Sequence, residues 1–401
     1  MNGRVDPVRA EPDYDPFMLE VVEGDPYPTY RRLRERTPRL FIGQYNAWFF
    51  STFEDVWNLT RSRELSVEQG ITPSQLLLDS PANNFMPSQM DPPQHTVYRA
   101  LLNDLVKPGA ARALEGLIRM RVRELLGRLL AQGGGDVMGE FGSPLAAEIG
   151  CQLSGIPSAE VPRLVRWNNQ FFHRQRDRRG DTAVGGEAYA EIMQYVRELV
   201  RAAQSGRHEP TGGLAAMLAA QRERADVTDE HVAHTVFNLQ IAAGDTVPKT
   251  IAAALHRLWE NPEQWRALRA DPSLATPAFV EAARLDMPTQ MQGRTASGRL
   301  TVGDISVEPG QRTMFLFAAA NRDEREFESP DSFRIARKSR RVLAFGNDIH
   351  RCLGVYVAQT EGRIALEEMV DALPRYEIDL GASSHHKTEY LKGWAHLALK
   401  C

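Results

Sequence analysis

The chain has 401 residues, more than one simple core usually holds, and 42% hydrophobic with 25% charged residues is ordinary for a globular protein with a large interior. A formal net charge of −4 gives no reason to expect nucleic acid or an acidic membrane surface as partner. Three cysteines, Cys151, Cys352 and Cys401, are far apart and odd in number, with no CxxC or CxxCH; this excludes zinc ribbons and CxxCH-type cofactor attachment and points to a reducing, cytoplasmic compartment.

The opening stretch MNGRVDPVRAEPDYDPF is polar and Pro-rich without an apolar h-region, and no apolar run approaches the ~18 residues of a spanning helix, so no membrane anchor is expected. RLFIGQYNAWFFST reads as strand, alternating irregularly around GQYN. In MDPPQHTVYRALL, Asp91-Pro92-Pro93 marks a helix start and places His95 and Arg99 one turn apart. Long helical patterns then dominate from about Gln94 to Ala270. EGLIRMRVRELLGRLLAQGGG ends at a triple glycine, and GRHEPTGG (206–213) reads as a flexible loop. Thr228-Asp229-Glu230 supplies an N-cap and an acidic first turn for a helix running to about Glu260, where NPEQW starts another.

Inside that helix, NLQIAAGDTVPKTIAAALHRL reads as an apolar run interrupted in its middle by Asp245 and Thr246 and then Pro248. Proline lacks an N–H, so the Gly244 carbonyl loses its helical partner. An acid, an alcohol and a freed carbonyl within three residues make a candidate proton-delivery site. Further on, FVEAARLD pairs Glu281 with Arg284 at i, i+3. GRLTVGDISVEPGQRTMFLF carries strands, with turns at Gly303-Asp304 and Pro309-Gly310. The reading is mainly α with a minor β portion: one interleaved domain over 1–401, with an α-rich lobe at roughly 94–285 and 345–375. The β portion comes from about 38–52 and 294–318 plus the C-terminal segment.

The stretch AFGNDIHRCLG surrounds Cys352 with Phe345, Gly346, His350 and Gly354. A lone cysteine is more often a small buried hydrophobe than a ligand. Here, however, an amphipathic helix ended by Pro374 follows directly, so its dipole and free amides favour a thiolate at Cys352. Gly346 permits a tight turn, Gly354 lets backbone approach something flat and bulky, and Phe345 offers an apolar shield.

FGNDIHRCLG resembles the haem-binding signature of the cytochrome P450 family, Phe-Gly-x-x-x-His-x-Cys-x-Gly, at every fixed position. The resemblance implies a triangular-prism fold with a long oxygen-binding helix over non-covalent haem b, whose axial thiolate and iron ligand is Cys352. AAGDT is similar to the family's Ala/Gly-Gly-x-Asp/Glu-Thr motif, with Ala243 in place of the second glycine and Gly244 one place on. It implies that Asp245 and Thr246 deliver protons to bound O2. Glu281 and Arg284 resemble the Glu-x-x-Arg core pair. AAANRDEREFESPDSF resembles the family's Ala-Asn-Arg-Asp meander, but Ser332 stands where an arginine often completes a Glu-Arg-Arg cluster, leaving Arg334 or Arg337 as substitutes. His95, Arg99, Arg294 and His350 are carried over as partners of the haem propionates, with Phe345, Gly346 and Gly354 around the cofactor.

No Rossmann glycine fingerprint is present, so electrons must come from elsewhere. The run Arg334, Arg337, Lys338, Arg340, Arg341 and Arg351, near the cysteine in sequence, would suit an acidic ferredoxin served by its reductase. Family topology puts the substrate opposite Cys352, among Phe85, Phe171, Phe172, Leu239, Ala242, Thr289, Gln290, Met291 and Trp394. Apolar bulk with interspersed amides suggests a mid-sized hydrophobic molecule with a polar handle, such as a terpenoid, a steroid or an aromatic compound. A ferredoxin-dependent haem-thiolate monooxygenase is the leading reading. A peroxide-using haem-thiolate enzyme and a non-catalytic haem sensor or docking module are the alternatives, and the Asp245–Thr246 pair weighs against both.

Overall fold

The computed structural model describes residues 14–176 and 178–401, so most of the polar N-terminal stretch lies outside the described residues. Asp229–Glu260 forms a single helix of 32 residues. Thr228 caps it by accepting the His231 amide, while the His231 ring accepts the Thr228 amide, which satisfies two backbone donors at the helix start. Buried residues occur on every side of this helix, the pattern of an element enclosed by others. Ser143–Ser154, Ala183–Gln204, Gly212–Glu223, Ala275–Leu285 and Val355–Ala372 all pack against it. Pro248 does not end the helix. It packs on Gly142, where a Cβ would come within 3.0 Å of the proline Cβ. No described helix is long and apolar enough to cross a membrane.

Strands from both ends of the chain assemble into a five-stranded sheet in the order Arg39–Ile42, Ala47–Phe50, Arg312–Phe315, Gln292–Ala296, Leu65–Ser66, while Leu300–Val302 and Ile305–Val307 pair as a separate two-stranded sheet and the C-terminal strands join two further small sheets. The irregularity at GQYN is a short 3-10 turn, closed by Asn46 in the left-handed region with φ 46°. Ala47–Phe50 pairs in parallel with Arg312–Phe315, chain some 265 residues away, and the other neighbours are antiparallel. The two-residue strand Leu65–Ser66 has too short a pattern to be read from sequence. A correction applies at 206–213. Its last two glycines begin the Gly212–Glu223 helix instead of lying in the loop, and Gly212, at φ 52°, leaves no room for a Cβ, which would strike the Gln152 carbonyl at 2.7 Å.

The segment leading to Cys352 is braced by a buried charge cluster. Arg284, with no solvent exposure, donates to both oxygens of Glu281 at 2.8 Å and to the carbonyls of Asn321 and Pro330 at 2.7 and 2.8 Å. Arg337 completes the cluster through Nε to Glu281 Oε1 at 2.9 Å, and it also holds the Ser332 carbonyl. Arg334 sends its guanidinium outward toward Glu328. The role left open by Ser332 thus falls to Arg337. Asn321 then accepts the Leu343 amide at 3.0 Å, tying the brace to the start of the cysteine loop.

Arg341 is likewise occupied, by Glu54 and Glu326. The basic run is therefore partly structural: Arg337 and Arg341 are not free cations of a solvated face. Removing one partner of a buried ion cluster strands the others, so Arg337→Ala is expected to cost about 3 kcal/mol of stability. Arg334→Ala should stay within about 0.5 kcal/mol. Urea unfolding of the two variants side by side checks this.

Candidate functional site

Between the middle of the central helix and the cysteine loop lies a cavity of about 830 Å³. Ala242, Ala243, Asp245 and Thr246 form one wall, and Phe345, Gly346, His350, Cys352 and Gly354 form the wall facing it. The loop is shaped locally. Gly346, at φ 65°, turns the chain and donates its amide to the Leu343 carbonyl at 3.0 Å, and the Cys352 amide closes the loop on the Phe345 carbonyl at 2.8 Å. No atom lies within 4 Å of where a Gly354 Cβ would stand, so the cavity side of the loop is clear of obstruction there.

One expectation is corrected here. The helix begins at Val355 with Gly354 as N-cap, so Cys352 precedes it by more than its first residue. The sulfur opens on the cavity and accepts the Gly354 amide; that amide, Arg99 and Arg351 lower the thiol pKa, but burial raises it by more. A cation facing the sulfur in the cavity would add to the terms that favour the thiolate.

The basic residues gather at one edge of the same space. The His95 and His350 rings are 4.5 Å apart, and both His95 nitrogens are buried with no hydrogen-bond partner. Arg294, on the strand Gln292–Ala296, is buried and enters no ion pair among the described residues. Burial pulls its pKa down to about 10, with Asp91 and Asp348 opposing. Burial and the neighbouring Arg294, His95 and Arg99 push His350 down to about 2. Arg99 also lines this space, and its guanidinium donates to the Arg351 carbonyl at 2.6 Å. Buried donors and an unmatched guanidinium around an enclosed space call for an anionic ligand. Two carboxylates on a flat group fit this donor set.

On the opposite wall, Thr246 and Asp245 both border the cavity. The displaced glycine now has an account. Gly244 faces away from the cavity, toward Asn168, whose Nδ2 would lie 2.4 Å from a Cβ there, so the helix needs glycine for close packing. Ala243 and Ala242 present their methyls to the cavity instead. Asp245 is ion-paired with Lys249, a residue that sequence reasoning left unassigned.

Of the residues expected to line the substrate space, Phe171, Phe172, Leu239, Ala242 and Thr289 do so. Phe85, Gln290, Met291 and Trp394 do not. Phe85 stacks on His234 at 5.2 Å, Gln290 is held by the Met287 carbonyl and the Tyr390 backbone, Met291 is buried in the core beneath the sheet, and Trp394 stacks on His385 at 3.8 Å. Sequence reasoning missed Tyr189 and Phe237, which join Phe171 and Phe172 in an aromatic ceiling with centroid spacings of 4.8 to 6.3 Å. It also missed Glu361, a buried cavity-lining acid whose pKa burial pushes up to about 8. Glu361 lies two helical turns past Gly354, a spacing that could have flagged it, whereas Tyr189 sits on a helix with no expected wall residue.

Comparison with known proteins gives a consistent result. The profile described as Cytochrome P450 matches residues 165–380. Cytochrome P450 130 of Mycobacterium tuberculosis is 30% identical over 378 residues, covering 90% of this chain and 92% of that protein. The putative cytochrome P450 123 of the same organism is 29% identical over 389 residues, 96% of each. Among solved structures, CalO2 superposes with a TM-score of 0.85 at 27% identity, over 96% of this chain and 98% of that one.

If the basic edge exists for an anionic ligand, Arg294→Met should move two measurements in opposite directions. The ligand-free chain should gain about 1 to 3 kcal/mol in chemical denaturation, because an unpaired buried charge is gone. Haem retention, followed by transfer to an apoprotein acceptor, should fall.

Proposed function

The chain belongs to the cytochrome P450 family, and on that premise we propose that Cys352 is the axial ligand of its haem and that Asp245 and Thr246 supply protons to the opposite face. The protein is a monooxygenase with a haem-thiolate cofactor. When bound, haem supplies the activation of dioxygen, which an electron-rich sulfur ligand favours. The observation that carries the assignment is the opposition of Cys352 to the Asp245–Thr246 pair across one cavity with an unmatched basic edge.

The chain's own residues divide the work. His95, Arg99, His350 and Arg294 would hold the propionates by charge-assisted hydrogen bonds, and Arg99 also anchors the cysteine loop through the Arg351 carbonyl. Gly354 leaves room for the porphyrin, and Phe345 covers the sulfur side. Thr246 presents a hydroxyl to the cavity, and Asp245 stands behind it as the acid that refills it with protons.

The substrate reading is a mid-sized hydrophobic molecule: terpenoid, steroid or aromatic. The ceiling of Phe171, Phe172, Tyr189 and Phe237 supports it, and Asn83 and Gln292 among the lining residues offer a polar handle. Electrons would come from a ferredoxin and its reductase. Arg351, exposed beside Cys352, and the exposed Lys338 and Arg340 support an acidic partner, now that Arg337 and Arg341 are spent inside the protein.

The reduced, CO-bound protein should show the red-shifted Soret band of a thiolate-ligated haem, and Cys352→His should retain haem without that shift. An unshifted band in folded wild-type protein would sink the ligand assignment. Thr246→Ala is expected to raise the peroxide released per NADPH several-fold in a system reconstituted with a surrogate ferredoxin and reductase.

A further inference from the structure

Arg63 lies between the helix Phe53–Leu59 and the strand Leu65–Ser66, which pairs with the strand that carries Arg294, Leu65 opposite Ala296 and Ser66 opposite Thr295. Its guanidinium stands 3.3 Å from the carboxylate of Asp348, in the loop that leads to Cys352. The two side chains are 60% and 27% exposed, so the pair sits at the solvent rim of the basic edge. An ion pair this open contributes little to the stability of a fold.

Two observations set it apart from an ordinary surface pair. Asp348 is held at φ 55°, in the left-handed region that an L side chain adopts only against strain. Its main chain is fixed there: the Asp348 carbonyl accepts the Arg351 amide at 3.0 Å, and the side chain of Asn347 donates to the Trp57 carbonyl at 3.1 Å and to the Thr60 hydroxyl at 3.4 Å. The cysteine loop is thus stapled to the segment that ends in Arg63, with the Asp348 carboxylate on that guanidinium.

The second observation is what the pair faces. The positive charge of Arg63 reaches His95, Arg294 and His350, and that of Asp348 reaches Arg294 with the opposite sign. These are the groups whose donors have no partner in the protein. A bare carboxylate beside them would repel a ligand with negative arms, so Asp348 suits this place only with a cation on it. Asp348 is the one ion-pair partner of Arg63 among the described residues. The planar fork of a guanidinium can serve two oxyanions at once, which leaves donors for a second one.

Resting on the reading that the basic edge receives the carboxylate arms of haem, we propose that Arg63 is a further partner of those arms at the solvent rim and that Asp348 is the positioning residue that holds it there. His95, Arg99, Arg294 and His350 meet the arms from within, and Arg63 closes the edge from outside.

The test follows transfer of haem from the folded holoprotein to excess apomyoglobin. Arg63→Gln is expected to raise the rate of loss about 2- to 5-fold in low-salt buffer, with the gap to wild type closing in ~1 M salt. Asp348→Gly takes φ 55° without strain, so a residue that served only the turn would be replaced at no loss. Acting through Arg63, Asp348→Gly should speed haem loss in the wild-type background and slow it in the Arg63→Gln background, where the carboxylate only repels. The reduced CO spectrum shows that each variant starts with its haem correctly ligated. A wild-type rate in Arg63→Gln at low salt, or an effect of Asp348→Gly that has the same sign in both backgrounds, overturns the proposal. Faster loss in Arg294→Met then leaves the reading of the basic edge standing, whereas a wild-type rate in Arg294→Met overturns that reading as well.

Discussion

The buried cluster of Glu281, Arg284 and Arg337 is the constraint on which the geometry of the cavity depends. Arg284 has no contact with solvent, so its charge is tolerable only because Glu281 and two main-chain carbonyls meet it with good geometry. Those carbonyls belong to the irregular chain between Asn321 and Pro330, which has no regular hydrogen-bonded ladder to hold it. The cluster substitutes for that ladder. Through Asn321 and Leu343 the same fixation passes to the turn at Gly346 and so to the position of Cys352.

Charge is distributed unequally around the cavity, and burial explains most of it. At the edge, burial lowers the basicity of His95, His350 and Arg294, and the Arg294 charge lowers that of both histidines further, leaving donors that an added anion would satisfy. On the cysteine side, Glu361 is pushed toward neutrality, so it adds little negative charge beneath the sulfur. Across the cavity, Asp245 is matched by Lys249. Each face is thus prepared for a ligand with negative arms, a positive centre and an apolar neighbour above it.

Much of this was legible in the sequence wherever spacing along a few residues determines geometry. The N-cap at Thr228, the length of the central helix, the Glu281–Arg284 pair and the turn before Cys352 are all local, and the structure places them as spacing predicts. The errors share a cause. Phe85, Gln290, Met291 and Trp394 lie close in sequence to true wall residues, yet the first three sit in irregular chain, whose side-chain directions follow no period, and Trp394 begins a short strand that stacks it on His385. Tyr189 and Phe237 reach the ceiling from two different helices, a convergence no single segment reveals. Arg337 and Arg341 read as part of one basic run, but each meets an acid far away in sequence, Glu281 and Glu54. Lys249 went unassigned because a lysine one turn from an aspartate reads as a surface pair, and nothing local says that both are buried.

The close approach of Gly244 to Asn168 has a consequence for what the cavity admits. Asn168 belongs to the helix Val161–Phe171, whose last residue helps to form the aromatic ceiling, while Gly244 is next to the wall residues Ala243 and Asp245. The absent side chain therefore acts as a spacer of zero length between floor and roof. A side chain at 244 would first press on the Asn168 amide and, unless that amide swings aside, would act as a shim on the helix that ends in Phe171 without touching a ligand. The height of the chamber, and with it the thickness of molecule that fits, is in this way written at a position that faces away from the chamber.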